Sequence, residues 1–347
     1  MPTEECEECS NHSATLIIIG GSDRTMVERT VYVLGAGASF DAGGPLIKDF
    51  FSVENEKSRR VHERYFYSDD KFLSLKSIYD DWAQKNTYPN VEGFFKKVEF
   101  QGLIGKRFLD THTSSAIIPS TVEDWLVWYI AAYVTRSIQA QKNRPSDYQE
   151  FVQSLKGYGR RSAVLTFNYD LVVDETMLDE FRELDYGIGD VWGMKEVSRG
   201  IPLIKLHGSL NWIQCPDCGR LEVWDEPIAH KHNRVSCVKK CGGYKERLIV
   251  PPNPSKGPHL ENIYRLWKKA DKLLSEADRI VLIGYSMPQI DTSARELLTD
   301  PVRRVREFEI VNTDVGTLVT LESALGRKSS ISKAMSFSEF VSIQSRQ

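Results

Sequence analysis

The chain has 347 residues, 41% of them hydrophobic and 27% charged, with a formal net charge of −3. This is the composition of a globular protein with a full core. The acidic balance excludes a nucleic-acid surface running along the molecule, and no apolar run reaches the length of a membrane-spanning helix. Basic clusters such as Arg303, Arg304 and Arg306 read as solvated helix faces.

Residues 1–29 form an N-terminal extension. Its acidic start, Glu4, Glu5, Glu7 and Glu8, has the wrong charge for a secretory signal, so a cytoplasmic protein is expected. In that compartment the six cysteines are metal ligands or thiols before they are disulfides. Cys6, Cys9 and His12 have ligand-like spacing but no fourth donor nearby, which favours a disordered tail over a metal site. Leu16 to Ile19 reads as a strand or a surface extension.

Val31 to Leu34 is a short apolar run ending at a glycine, the pattern of a buried parallel strand. Gly35 and Gly37 follow, then Ala38 and Ser39. A strand, a glycine turn and a helix N-terminus would cradle a phosphate. The dinucleotide fingerprint is incomplete, because Phe40 stands where a third glycine belongs.

Residues 46–161 mix aromatic and charged residues at helical spacing and read as a helical insertion lying over the glycine loop. Trp125, Trp128, Tyr129 and Ala132 share one helix face and are expected in the core. Asn143 to Ser146 marks a break.

Ser162 to Leu165 begins a second strand, followed by Thr166, Phe167, Asn168, Tyr169 and Asp170. Polar residues at a strand's carboxyl end are where α/β sheets bind ligands. Ile201 to Leu206 is a third strand, ending in His207 and Gly208. Cys215, Cys218, Cys237 and Cys241 then form two close pairs, a spacing suited to one tetrahedral thiolate zinc site in a module over 213–247. His230 and His232 are spare donors within it.

Leu248 to Pro252 is expected to return to the main sheet. A helix over 262–277 turns Ile263, Leu266, Trp267, Ala270 and Leu274 inward. Strands follow at 278–283, ending in Gly284, Tyr285 and Ser286, and at 307–311, ending in Asn312. A helix from Asp291 to Leu298 lies between them, Pro301 punctuates, and Leu318 to Phe340 closes the domain.

Six of these features occur in an order that resembles the sirtuins, NAD-consuming enzymes. They are Gly35-Ala36-Gly37-Ala38-Ser39 with Gly43 and Pro45, then Thr166-x-Asn168-x-Asp170, His207-Gly208, the four cysteines, Gly284-x-Ser286, and Val311-Asn312. The resemblance spans about residues 31 to 340. It implies a Rossmann-like parallel sheet assembled from 30–45, 162–212 and 248–347, carrying the helical insertion and the zinc module. It implies catalytic roles for Asn168, His207 and Asp170. Asp170 would lie by the carboxamide, Asn168 would orient the ribose or the attacking water, and His207 would be the general base. NAD would be held by Gly35, Ala36, Gly37, Ser39, Asp41, Pro45, Thr166, Gly284, Ser286 and Asn312.

The chain departs from the sirtuin motif at Phe167, which replaces a glutamine. It departs from the deacylating members at two points: Leu46 to Lys48 follows Pro45 where those enzymes carry Pro-Asp-Phe-Arg, and Val250 to Pro252 stands where they line an acyl channel. The second cysteine pair also has three intervening residues instead of two. The overall form is similar to a divergent bacterial branch that hydrolyses NAD in phage-infected cells. That resemblance implies an NAD hydrolase acting as a homo-oligomer, with an ATPase partner or a phage-derived trigger. Two alternatives stay open: an NAD-dependent deacylase or ADP-ribosyltransferase, and a sensor that binds NAD or ADP-ribose without turnover.

Overall fold

The computed structural model describes residues 28–141, 146–158, 161–188, 200–215, 217–224, 237, 241, 246–249, 261–288, 291–326 and 331–346. The expectations placed on Cys6, Cys9, His12, residues 16–19, 143–145, His230, His232 and 250–252 lie outside them.

The elements in chain order are β1 (Thr30–Leu34), α1 (Glu56–Tyr65), α2 (Asp70–Ala83), α3 (Val91–Leu103), β2 (Phe108–Asp110), β3 (Ser115–Ile117), α4 (Pro119–Ala140) and α5 (Asp147–Tyr158). Then come β4 (Ser162–Thr166), α6 (Val172–Phe181), β5 (Leu203–Lys205), β6 (Gly208–Gln214), β7 (Leu221–Val223), β8 (Glu246–Ile249) and α7 (Glu261–Ser275). The chain closes with β9 (Arg279–Ile283), α8 (Thr292–Arg304), β10 (Glu307–Asn312), α9 (Val315–Leu325), β11 (Ile331–Ala334) and α10 (Phe337–Gln344).

Six strands form one sheet in the order β11-β10-β9-β1-β4-β5. Every pairing in it is parallel. β1 and β4 are buried along their whole length, as strands covered on both faces must be. Helices α5, α6 and α10 pack together on one side, where Phe151 of α5 meets Tyr32 of β1 and Phe337 of α10 edge-on. Helices α7, α8 and α9 form a second packed series. From β1 the chain moves through β4 to β5, then crosses back to lay β9, β10 and β11 on the other side of β1. The strand order therefore reverses beside β1, which makes a topological switch point there.

Helices α1 to α4, with the antiparallel β2–β3 hairpin, fill the segment after the glycine loop. Their starts carry side-chain caps: Asn55 accepts from the Lys57 and Ser58 amides, Asp69 from Phe72, and Asn90 from Gly93. Each such cap is worth about 1 kcal/mol. The stripe predicted on α4 is in the core, with Trp128, Tyr129 and Ala132 buried and Trp125 packed at its edge. Tyr129 stacks on Tyr133 and meets Phe51 and Phe72 with tilted rings, so one helix face organises the aromatic interior of this layer. No helix among the described residues is long and apolar enough to cross a membrane.

Three elements differ from the sequence reading. Leu248 and Ile249 do not return to the parallel sheet. Their strand, β8, pairs antiparallel with β6, which also pairs with β7 in a separate three-stranded sheet. The cause lies at Gly208, whose φ of +81° turns the chain out of β5 and brings its Cα onto the Leu248 carbonyl, where no Cβ fits. Pro301 does not end α8, which continues to Arg304. The Val305 amide still finds the Pro301 carbonyl. Finally, the region closing the chain contains a sixth strand, β11, whose short, mostly exposed pattern carries little strand signal.

Candidate functional site

Two glycine turns interlock at the switch point. The Gly35 amide donates to the Ile283 carbonyl, and the Gly37 amide to the Gly284 carbonyl. A Cβ on Gly35 would come within 2.5 Å of the Tyr285 backbone, and one on Gly37 within 2.8 Å of Gly284. Gly284 itself has a φ of +62°. The glycines thus let two backbones from β1 and β9 touch. The element after Gly35 is a single 3₁₀ turn, Ala36–Ser39, not the α-helix the phosphate-cradle reading expects. It has no long-helix dipole to offer, and the Gly35, Gly37 and Ala38 amides are all spent within the protein.

Around this turn a polar cluster joins β1, β4 and α5. The Asn168 side-chain nitrogen donates to the Gly35 carbonyl at 2.9 Å and to Ser39 Oγ at 3.0 Å. A carbonyl can only accept, which fixes the orientation of the Asn168 amide. Both amide protons are then used, and the half-buried Oδ1 is the atom left to meet a ligand. Ser39 is the hub: its hydroxyl accepts from Asn168 and shares a 3.1 Å hydrogen bond with Tyr148 Oη. Thr166 is likewise engaged within the turn, donating to the Leu34 carbonyl and accepting from the Asn168 amide.

Asp170 is buried, and burial raises its carboxyl above the ordinary range against the opposing pull of Lys205, Ser39 and the Val172 amide. Beneath it lies a charge pair. Lys205 is 0% exposed, with Nζ 2.8 Å from Asp174 Oδ2 and 2.5 Å from the Asp170 carbonyl, while Tyr186 donates to the other Asp174 oxygen. A lysine in a buried strand must be paired, so Lys205 was a signal in the sequence; its partner was not.

A second cluster surrounds His207, which is 4% exposed. Its ring lies 5.1 Å from that of Phe167, with Tyr169 and Trp267 beyond. Nε2 comes within 3.3 Å of Asp291 Oδ2. That is charge-pair distance, but the approach is off-line for an N–H···O bond, and Nε2 is buried without a hydrogen-bond partner among the described residues. Asp291 caps α8 by accepting from the Ala294 amide, and Tyr285 donates to it at 2.8 Å. Burial alone would raise Asp291; His207, Tyr285 and the Ala294 amide together hold it below the usual carboxylate range. Phe167 stacks on Tyr285 at 4.4 Å and so joins the two clusters.

The remaining candidates divide. Ser286 is exposed on the sheet's crest, and Asn312 reaches the Tyr285 carbonyl at 3.5 Å. Ala36 and Pro45 are partly exposed along the loop. Asp41 instead accepts from Ser338 of α10. The four cysteines stand apart in the β6–β7–β8 unit, and their sulfurs all lie within 4.8 Å of one another. Cys215 and Cys241 are 3.4 Å apart and Cys218 and Cys237 3.6 Å, with no disulfide. Tetrahedral thiolates at ~2.3 Å from one ion would be separated by roughly 3.8 Å, so the donor set fits a single metal.

No protein-family model and no curated protein matches the chain. Solved structures do. One is described as Sir2 in complex with an inhibitor, 2′-O-acetyl-ADP-ribose and a deacetylated p53 peptide. It is 16% identical, covers 90% of this chain and 91% of its own, and has a TM-score of 0.43. A mutant Sir2 homologue complexed with ADP-ribose is 14% identical over 92% and 91%, with a TM-score of 0.45. A third, described under the structural basis for the mechanism and regulation of Sir2 enzymes, is 15% identical over 92% of each chain at 0.45.

Sequence reasoning missed Tyr148, Lys205, Asp174, and Asp291 as the partner of His207. Tyr148 lies on an apolar stripe with Phe151, Val152 and Leu155, which signals burial but not the hydroxyl's bond to Ser39.

Proposed function

We propose that this chain cleaves NAD to nicotinamide and ADP-ribose with water as the acceptor. The observation that carries the reading is Asn168. Its side chain is locked by Gly35 and Ser39, and one acceptor atom is left at the switch point of a parallel sheet. Breaking the nicotinamide–ribose bond develops positive charge on the sugar. A fixed amide oxygen can hold a ribose hydroxyl or the attacking water in line with that charge. His207, paired with Asp291, is the group suited to take the water's proton. Exposed Ser286, at the crest beside the interlocked turns, would contact the pyrophosphate.

Asp170, whose carboxylate accepts from the Val172 amide, would lie by the nicotinamide carboxamide in this reading. The departures from deacylating sirtuins at Leu46 to Lys48 favour water over an acyl-lysine. Unrestrained hydrolysis would exhaust a cell's own NAD. We therefore propose an antiphage effector that is active as a homo-oligomer and released by an ATPase partner or a phage-derived trigger.

Incubation of the assembled protein with NAD alone tests the activity. Nicotinamide release without a peptide means hydrolysis. Release only with acyl-lysine peptide means deacylation, and binding without release means a sensor.

The four cysteines are proposed to hold one structural zinc, since four thiolates leave no open position for chemistry. Elemental analysis should give about one zinc per chain, and Cys215→Ser should lose the metal and lower the melting temperature. A metal-free protein of unchanged stability would exclude the site.

A further inference from the structure

Lys205 ends β5, is fully buried, and stands two positions before His207. Stability does not call for a lysine there. A buried ion pair is seldom better than an apolar pair of the same volume, because both charges must be desolvated. What an apolar residue cannot do is donate, and Lys205 donates twice. Besides Asp174 of α6, at 2.8 Å, its ammonium reaches the main-chain carbonyl of Asp170, at 2.5 Å. That carbonyl lies in the loop between β4 and α6 that carries Asn168.

The loop's other anchors are backbone bonds. The Phe167 amide donates to the Leu34 carbonyl of β1, and the Tyr169 carbonyl accepts from the Leu210 amide of β6. Such bonds are indifferent to side-chain identity. The Asp170 carbonyl receives no backbone amide among the described residues, so its anchor depends on the lysine. Tyr186 and Lys205 occupy the two oxygens of Asp174, which fixes the carboxylate and, with it, the direction of the ammonium. We infer that Lys205 is a positioning residue: it clamps the Asn168 loop, through the Asp170 carbonyl, to the strand that delivers His207. The inference rests on Asn168 and His207 acting together in the reaction proposed above. It gives the buried pair the task of holding the spacing between the groups supplied after β4 and after β5.

Lys205→Met keeps the length without a donor, but it strands Asp174 and should melt well below the wild type. The deciding variant is therefore Lys205→Met/Asp174→Leu/Tyr186→Phe, which removes donors and acceptors together and should melt close to the wild type. Hydrogen exchange read by mass spectrometry over residues 167–172 reports the clamp whether or not NAD is cleaved. In the triple variant that segment should exchange at least about tenfold faster, while β1 and β10 keep their wild-type rates. Where nicotinamide release is measurable, kcat should fall about 10- to 100-fold with KM within about threefold, since the loop is displaced and not removed. Wild-type exchange at 167–172 in the folded triple variant, or turnover recovered along with stability, overturns the role of Lys205, and the pair then serves the fold alone. Faster exchange in a protein that cleaves no NAD overturns the proposed activity and leaves the clamp standing.

Discussion

Two buried histidines show how differently one protein can use the same side chain. His62, on α1, is 1% exposed and bonded at both ring nitrogens: Nδ1 to the Ser58 carbonyl and Nε2 to Tyr129 Oη, each at 2.8 Å. It lies flat on Tyr133, 4.8 Å between ring centres. Burial holds it down at about 4, so near neutrality it is an uncharged part of the aromatic interior. His207 is equally hidden but has a nitrogen without a hydrogen bond and a carboxylate, Asp291, beside it. Depth does not separate the two; saturation does. If His207 is the base of the proposed reaction, its unmet valence is what a proton-exchanging group needs.

The sharpest break of this contrast is paired substitution. His207→Ala should lower nicotinamide release by 10² to 10⁴-fold, the typical worth of a general base, while melting near the wild-type temperature. His62→Ala should do the reverse. It removes two buried hydrogen bonds and a stacked ring, costing about 2–5 kcal/mol, with turnover per folded molecule unchanged. Steady-state kinetics and urea melts on both proteins decide the matter, and equal effects on turnover would erase the distinction.

Acid sharpens it further. The folded-state value of His62 lies below the unfolded value of 6.5, so the unfolded chain takes up the proton first as pH falls. Stability from this group is complete above 6.5 and is lost down through about 4, by at most about 3 kcal/mol. Urea midpoints at pH 7, 5.5 and 4 should fall accordingly, and the slope should flatten in His62→Phe. A wild-type midpoint independent of pH across this window would contradict the assignment.

The smallest expected effect is at Tyr148. Tyr148→Phe removes one bond to Ser39 and should cost about 0.5–1.5 kcal/mol, because Asn168 keeps its tie to the Gly35 carbonyl. Thermal melts would detect it, and a loss as large as that in His62→Ala would mean the hub is misread.

What was legible in the sequence was local. The glycine turn after β1, the polar run after β4, His207 after β5 and the paired cysteines each declare themselves within a few residues. The parallel sheet followed from short apolar runs separated by helical spacing. What was hidden was pairing across the fold. Asp291 reads correctly as the residue that opens a helix, but nothing near it signals the histidine 84 positions earlier. Tyr148 belongs to a helix whose periodicity marks a buried face and says nothing about what that face meets. Gly208 explains the misplaced strand at Leu248, since the backbone turn that redirects β6 is a property of φ and not of hydrophobic pattern.

The strand order also sets a timetable. β1 precedes both its neighbours, and β9, which supplies Gly284 and the wall of the glycine interlock, lies some 250 residues further along the chain. At ribosomal speeds of about 5–20 residues per second, β1 would wait roughly 12–50 seconds for that partner. Until then its apolar length has one edge of hydrogen bonds open, and the interlocked turns at the switch point cannot exist. A nascent chain would therefore carry its helical layer well before the crest of its sheet was complete.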